Sequence, residues 1–209
     1  MLRWINDYCS SRWSETSYMD LRRYVFFVDD DYYIDIDLLY SYIQKIDSDP
    51  EMTTYERRTF ITGELIKNSR PQRFVNDRWY VSLSDYPYNA YPPYLSTGCF
   101  LMTRYNARLF YIASKYTRLF HFDHIYMGLL AYSMSINFIP NNQLFSTTLS
   151  TKNILFNQTE NLSRWKQIFH ENTNFNSTTK SICYHGFRGQ KLIDIWNYLH
   201  QTNITFSFD

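Results

Sequence analysis

The run Tyr24-Val25-Phe26-Phe27-Val28 is rich in β-branched and aromatic residues, which predicts a buried strand. Three carboxylates, Asp29, Asp30 and Asp31, follow it directly. Leu38, Leu39, Tyr42, Ile43 and Ile46 then recur at helical spacing, with Asp35 or Asp37 placed to cap the helix. Asp47 to Glu56 is polar, contains Pro50 and predicts a loop. Phe60 to Ile66 predicts a strand ended by Lys67-Asn68-Ser69-Arg70-Pro71, and Arg78 to Leu83 predicts another. Between Asp85 and Tyr94 lies an aromatic loop stiffened by Pro87, Pro92 and Pro93.

Ser96-Thr97-Gly98 leads into a short buried strand, Cys99 to Met102. Helices are expected around Asn106 to Lys115 and from Phe122 to about Met134, then a strand-like Ile136 to Ile139. Asn141 to Lys180 has little pattern and reads as irregular. A short strand near Ile182, then His185, precedes a helix carrying Leu192, Ile193, Trp196 and Leu199. Strands alternating with helices over 209 residues indicate one α/β domain, 1–209.

The acidic triplet is the first candidate for chemistry. Three charges at the end of a buried strand cannot follow it into the core unpaired. Two readings stand: an acidic turn capping the helix near Asp35, or hard oxygen ligands for Mg²⁺ or Mn²⁺ at the rim of the sheet. The formal net charge of +1 gives no electrostatic footprint for nucleic acid. No stretch of the sequence is apolar enough, over sufficient length, to cross a bilayer.

Aromatics make up 20% of the chain, including 20 tyrosines, which suits either a Tyr-rich core or a carbohydrate site. Cys9, Cys99 and Cys183 allow one disulfide at most. Glycosylation sequons at Asn157, Asn161, Asn176 and Asn203 suit a lumenal surface.

Several pieces then fall in a telling order: Arg3-Trp4 with Tyr8-Cys9; Phe26 to Tyr33 around the Asp triplet; Arg78-Trp79-Tyr80-Val81-Ser82; Tyr86-Pro87; Tyr91-Pro92-Pro93-Tyr94; Gly98; Phe122 to Gly128; and His185. This series resembles the inverting β-1,3-galactosyltransferase and N-acetylglucosaminyltransferase family, glycosyltransferase family 31. The resemblance implies a GT-A-type, Rossmann-like fold. It also implies a β-1,3-hexosyltransferase taking GlcNAc or Gal from UDP-GlcNAc or UDP-Gal to a glycolipid or glycoprotein glycan, in the Golgi lumen.

By the same resemblance, Asp31 and His185 hold Mn²⁺, and Asp29 and Asp30 lie near the uridine and ribose. Trp79, Tyr80, Tyr86 and Gly98 are expected around the donor and sugar, with Trp79 and Tyr86 foremost. The cation would neutralise the departing diphosphate.

Two departures are visible. Inversion needs a base for the acceptor hydroxyl, and the second acid of the family's acidic pair falls here on His124, after Asp123. Asp123 also stands where a helix N-cap is expected. The chain moreover begins 28 residues before Asp29, so the family's first strand, an Arg-rich Thr-Trp motif and a helix are expected to be missing. The GT-A domain would be N-terminally incomplete. Both departures leave an alternative: a truncated or inactive homologue that binds a glycan or a partner through its aromatic loop.

Overall fold

The computed structural model describes residues 23–145 and 181–200. Arg3-Trp4, Tyr8, Cys9, the four sequons and most of the stretch read as irregular lie outside the described residues.

Strand β1 (Tyr24–Val28) and helix α1 (Ile36–Ser48) form where the pattern predicts. Between them the short strand β2 (Tyr32–Ile34) follows the Asp triplet directly. Asp35, rather than Asp37, caps α1: its carboxylate accepts from the Leu38 N–H at 2.9 Å. Leu39, Ile43 and Ile46 form the buried stripe of α1. The expected loop at 47–56 is entered late, because α1 runs to Ser48, and left early. Thr53 and Glu56 form a reciprocal capping box that starts the short helix α2 (Thr54–Arg58).

Strand β3 (Ile61–Ile66) and a ten-residue β4 (Tyr94–Thr103) follow, then helices α3 (Arg104–Ser114) and α4 (Asp123–Ser133). Strand β5 is only Ile139–Pro140, later and shorter than the pattern predicts. Strand β6 (Cys183–His185) and helix α5 (Gln190–His200) close the described chain.

The main sheet has the order β1-β4-β3-β5. Its β1–β4 and β4–β3 pairs are antiparallel and its β3–β5 pair is parallel, so the fold is mixed α/β with a mixed sheet. Strand β4 is central and buried on both faces. Cys99 and Leu101 face one apolar core with Tyr24, Leu39 and Ile43. Phe100 and Met102, one position out of phase, face a second core with Phe110 and Leu130. The read strand start at Cys99 falls short, because Tyr94 to Gly98 already belong to β4.

Residues 78–83 do not form a strand; a single parallel bridge joins Gln72 and Tyr80. Two of the carbonyls that a ladder there would use, those of Val81 and Ser82, are taken by one side chain. Arg73 donates to the carbonyls of Val81, Ser82, Tyr86 and Tyr88 at 2.7–3.0 Å. Tyr86, Tyr91 and Phe120 then pack as a third, aromatic core behind the loop.

Two features fix the site. After Val28, which pairs with Cys99, the Asp29 N–H still donates to Gly98 O. The chain then leaves the main sheet, and β2 pairs antiparallel with β6, setting Tyr32 opposite His185. A Cys99–Cys183 disulfide ties β4 to β6 across 84 residues, so the single pair that three cysteines allow is formed.

Candidate active site

The three acids separate in the fold. Asp29 and Asp30 are exposed, whereas the Asp31 side chain is only 11% exposed. The Asp31 backbone carbonyl accepts from the N–H groups of both Gly186 and Phe187 at 2.9 Å. These bonds wrap residues 185–189 around it. Gly186 (φ +102°) and Gly189 (φ +53°) take backbone conformations that L side chains rarely adopt, at either end of the wrap. Phe187 is fully buried beside Tyr33 and Ile195 and anchors it.

Two side chains converge on Asp31 Oδ2. His185 Nε2 lies 3.3 Å from it. Arg188 reaches the same oxygen with Nε at 3.1 Å and Nη2 at 2.8 Å. Tyr32 packs its ring against the His185 imidazole at 4.9 Å. Burial raises the Tyr32 phenol above its ordinary range, and the charges of Asp31 and Asp29 push the same way.

Gly98 earns its place by close approach. A Cβ there would meet Tyr32 Oη at 2.0 Å and Cζ at 2.6 Å. Because the Tyr32 ring is buried, Gly98→Ala should displace it and disturb His185 behind it. A stability loss of about 1–3 kcal/mol is expected. The check is a urea melt together with Mn²⁺ affinity; a variant unchanged in both would show the contact to be soft.

Burial raises the Asp29 carboxyl above the usual carboxylate range, and the charges of Asp31, Asp123 and Asp30 add to it, with His185 opposing. The raised value means that native-state stability is present below the ordinary carboxylate pKa and lost as pH rises through the folded one. Asp29→Asn should therefore melt above the wild-type chain at pH 7 without divalent cation. The gap should close near about pH 3, and thermal melts across that range measure it.

The second cluster opens helix α4. Asp123 is the first helical residue rather than the N-cap, which is Phe122 without a side-chain bond. Asp123 Oδ1 accepts from the His124 backbone N–H at 2.8 Å and lies 3.2 Å from His124 Nδ1. The imidazole is set among Tyr94 at 5.3 Å, Phe122 at 5.9 Å and Trp79 at 6.2 Å. These residues wall a cleft of about 350 Å³, with Arg70 and Gln72 on its polar side. The effect of Asp123 on Asp29 puts the mouth of α4 within electrostatic reach of the acid triplet.

Trp79, 43% exposed, thus lines the cleft. Tyr86 does not: it is buried, and its hydroxyl donates to Ala90 O at 2.8 Å. Tyr80 is also absent from the cleft wall, its N–H committed to Asp77 O.

Residues 12–142 match the family described as Galactosyltransferase. The chain belongs to the galactosyltransferase family.

This galactosyltransferase chain is 30% identical over 126 residues to beta-1,3-galactosyltransferase brn of Drosophila melanogaster, a stretch that covers 60% of it and 37% of the fly protein. It is 30% identical over 142 residues to human beta-1,3-galactosyltransferase 1, covering 68% and 38% of the two chains. With beta-1,3-galactosyltransferase bre-5 of Caenorhabditis elegans it shares 29% over 113 residues, 54% of this chain and 32% of that one. The aligned part therefore spans less than two fifths of each of these relatives.

The family match takes in the acid triplet, Trp79, Gly98, Asp123 and His124 of the galactosyltransferase chain; His185 and Arg188 lie beyond its last residue. The fold, not the match, brings those two to Asp31. Among the described residues no group of three or more His, Cys, Asp or Glu is arranged to hold a metal, and no helix is long and apolar enough to cross a membrane. Asp31 with His185 is a two-donor set. That suits Mn²⁺ or Mg²⁺ when phosphate oxygens and water complete the shell, as is usual for ions that travel with nucleotides.

Proposed function

We propose that this chain is the acid-triplet part of an inverting β-1,3-hexosyltransferase of GT-A type. It would move GlcNAc or Gal from a UDP-sugar to a glycolipid or glycoprotein glycan. The observation that carries the reading is the meeting of Asp31 and His185 at 3.3 Å, brought together from distant parts of the chain by the pairing of β2 with β6. The relatives' names support β-1,3 transfer of galactose. The Cys99–Cys183 bond supports an oxidising compartment such as the Golgi lumen.

Asp31 and His185 would hold Mn²⁺, which when bound supplies Lewis-acid neutralisation of the departing diphosphate. Trp79 and Phe122 offer ring faces to the C–H faces of a sugar, and Arg70 and Gln72 offer donors to its hydroxyls. His124 takes the place of the expected acid. With its proton on Nδ1 it donates to Asp123 Oδ1, which orients the ring and leaves Nε2 as the acceptor for the proton of the attacking hydroxyl. Asp123 then stabilises the imidazolium that forms, as a carboxylate does beside a catalytic histidine.

The test is transfer from UDP-galactose and UDP-GlcNAc to glycan acceptors with Mn²⁺, using the chain within its full-length protein. His124→Ala should lower kcat about 100-fold or more while leaving the affinity for UDP within a factor of about two. A wild-type protein that transfers nothing, yet binds glycans through Trp79, would assign the cleft to a binding module instead.

A further inference from the structure

Arg188 belongs to no motif of the sequence and lies outside the family match, yet it makes the closest contact to the Asp31 carboxylate. We propose that Arg188 is a diphosphate-binding residue that closes Asp31 when no donor is present and turns onto the diphosphate when one arrives. The inference rests on the donor site proposed above and names a second cation in it, one belonging to the protein.

The geometry supplies each part. Both contacts from Arg188, Nε at 3.1 Å and Nη2 at 2.8 Å, fall on the single oxygen Oδ2 that His185 also approaches. Two guanidinium nitrogens bonded to Oδ2, with His185 Nε2 at 3.3 Å from it, set a protein cation against the oxygen that an incoming metal would take, so the pair as it stands competes for the metal position. The Arg188 side chain is 78% exposed although its partner's is 11% exposed. Its tie to Asp31 is therefore open to water on one side and cheap to break. Nη1 has no bond among the described residues, which leaves one edge of the planar fork facing outward. An edge of that kind fits two phosphate oxygens side by side.

The backbone beneath does not need to move. Phe187 is buried, and the Gly186 and Phe187 N–H groups hold the Asp31 carbonyl rather than its side chain. A rotation about the Arg188 side-chain bonds alone frees Oδ2. Donor arrival then exchanges one anion for another: the guanidinium leaves a carboxylate for a diphosphate, and Asp31 becomes available beside His185.

Arg188→Gln separates this role from a merely structural one, because it predicts effects of opposite sign. With EDTA present, calorimetry should show UDP and pyrophosphate bound about tenfold more weakly than by the wild-type protein, and uridine unchanged. Without nucleotide, the paramagnetic resonance signal of free Mn²⁺ should report tighter metal binding, by about threefold or more, since a competing cation is gone from Oδ2. Arg188→Lys should fall between the two, keeping the charge but not the fork. The melting temperature should stay within about 2 °C, as expected for an exposed side chain.

If Arg188→Gln weakens Mn²⁺ and UDP binding together, or lowers the melting temperature well beyond that, the residue only shapes the Asp31 loop and the inference is overturned. Unchanged affinity for UDP and pyrophosphate also overturns it, while leaving the donor site intact. A wild-type protein that binds neither UDP nor Mn²⁺ removes the donor site itself, and this inference with it.

Discussion

Asp31→Asn should leave the protein folded and lower sugar transfer by about two orders of magnitude or more. The substitution keeps the shape of the side chain and leaves the backbone carbonyl that holds Gly186 and Phe187 untouched. What it removes is charge. Arg188 is largely exposed, so it regains water, and losing its ion pair costs at most about 1 kcal/mol. The amide retains an oxygen for a donor. A divalent cation held there as proposed would lose its one carboxylate ligand, however, and even the partners of metal ligands are commonly worth 10–100-fold in affinity or activity. The measurement pairs kcat/KM as a function of Mn²⁺ concentration with a thermal melt. Full transfer by the variant would show the carboxylate to be an ordinary surface ion-pair partner. A stability loss above about 3 kcal/mol would show it to be a structural one.

Reduction of the Cys99–Cys183 bond should have the largest effect on stability. The bond closes 84 residues, and loop-closure entropy puts its worth at about 4.6 kcal/mol. For a chain of this size that corresponds to a fall of roughly 10 °C in melting temperature. The loss should be felt at the site too. The β2–β6 ribbon has two strands of three residues each, too little to stand alone in water, and it carries His185. Melts and Mn²⁺ titrations with and without a phosphine reductant, and of the Cys99→Ala, Cys183→Ala double variant, should show stability and metal affinity falling together. A melt insensitive to reductant would mean that the packing of Ile182 and Phe145 holds β6 unaided.

Elements whose formation depends on neighbours in sequence were readable. The strand before the acid triplet, the Asp35-capped helix α1 and the apolar stripe of α1 follow from local pattern. The strand expected at Arg78 to Leu83 was not there to be found. Its apolar and aromatic composition suits a strand, but Arg73 takes the Val81 and Ser82 carbonyls, a contact that composition does not register. Strand β4 was read short because Ser96-Thr97-Gly98 has the composition of a turn, whereas Gly98 is small to admit the Tyr32 ring.

At the site the acid triplet was legible as a cluster of charge, but its inequality was not: only the fold buries Asp31 and leaves Asp30 exposed and Asp29 partly desolvated. The role of His185 came from resemblance, and its 3.3 Å approach to Asp31 is a tertiary fact. Arg188, 157 positions from Asp31, left one faint signal, an arginine between two glycines just after His185. Tyr86 was expected near the sugar from the resemblance of its loop, and in the fold its ring is buried in the aromatic core.

The grip of Arg73 on four backbone oxygens has a consequence for how such a protein diversifies. Every amino acid offers the same carbonyl, so these four contacts do not depend on which side chains the loop carries. Exposed residues of the loop, such as Leu83 and Tyr88, can be exchanged while the frame keeps its shape, whereas Val81, Tyr86 and Tyr91 stay tied to the aromatic core.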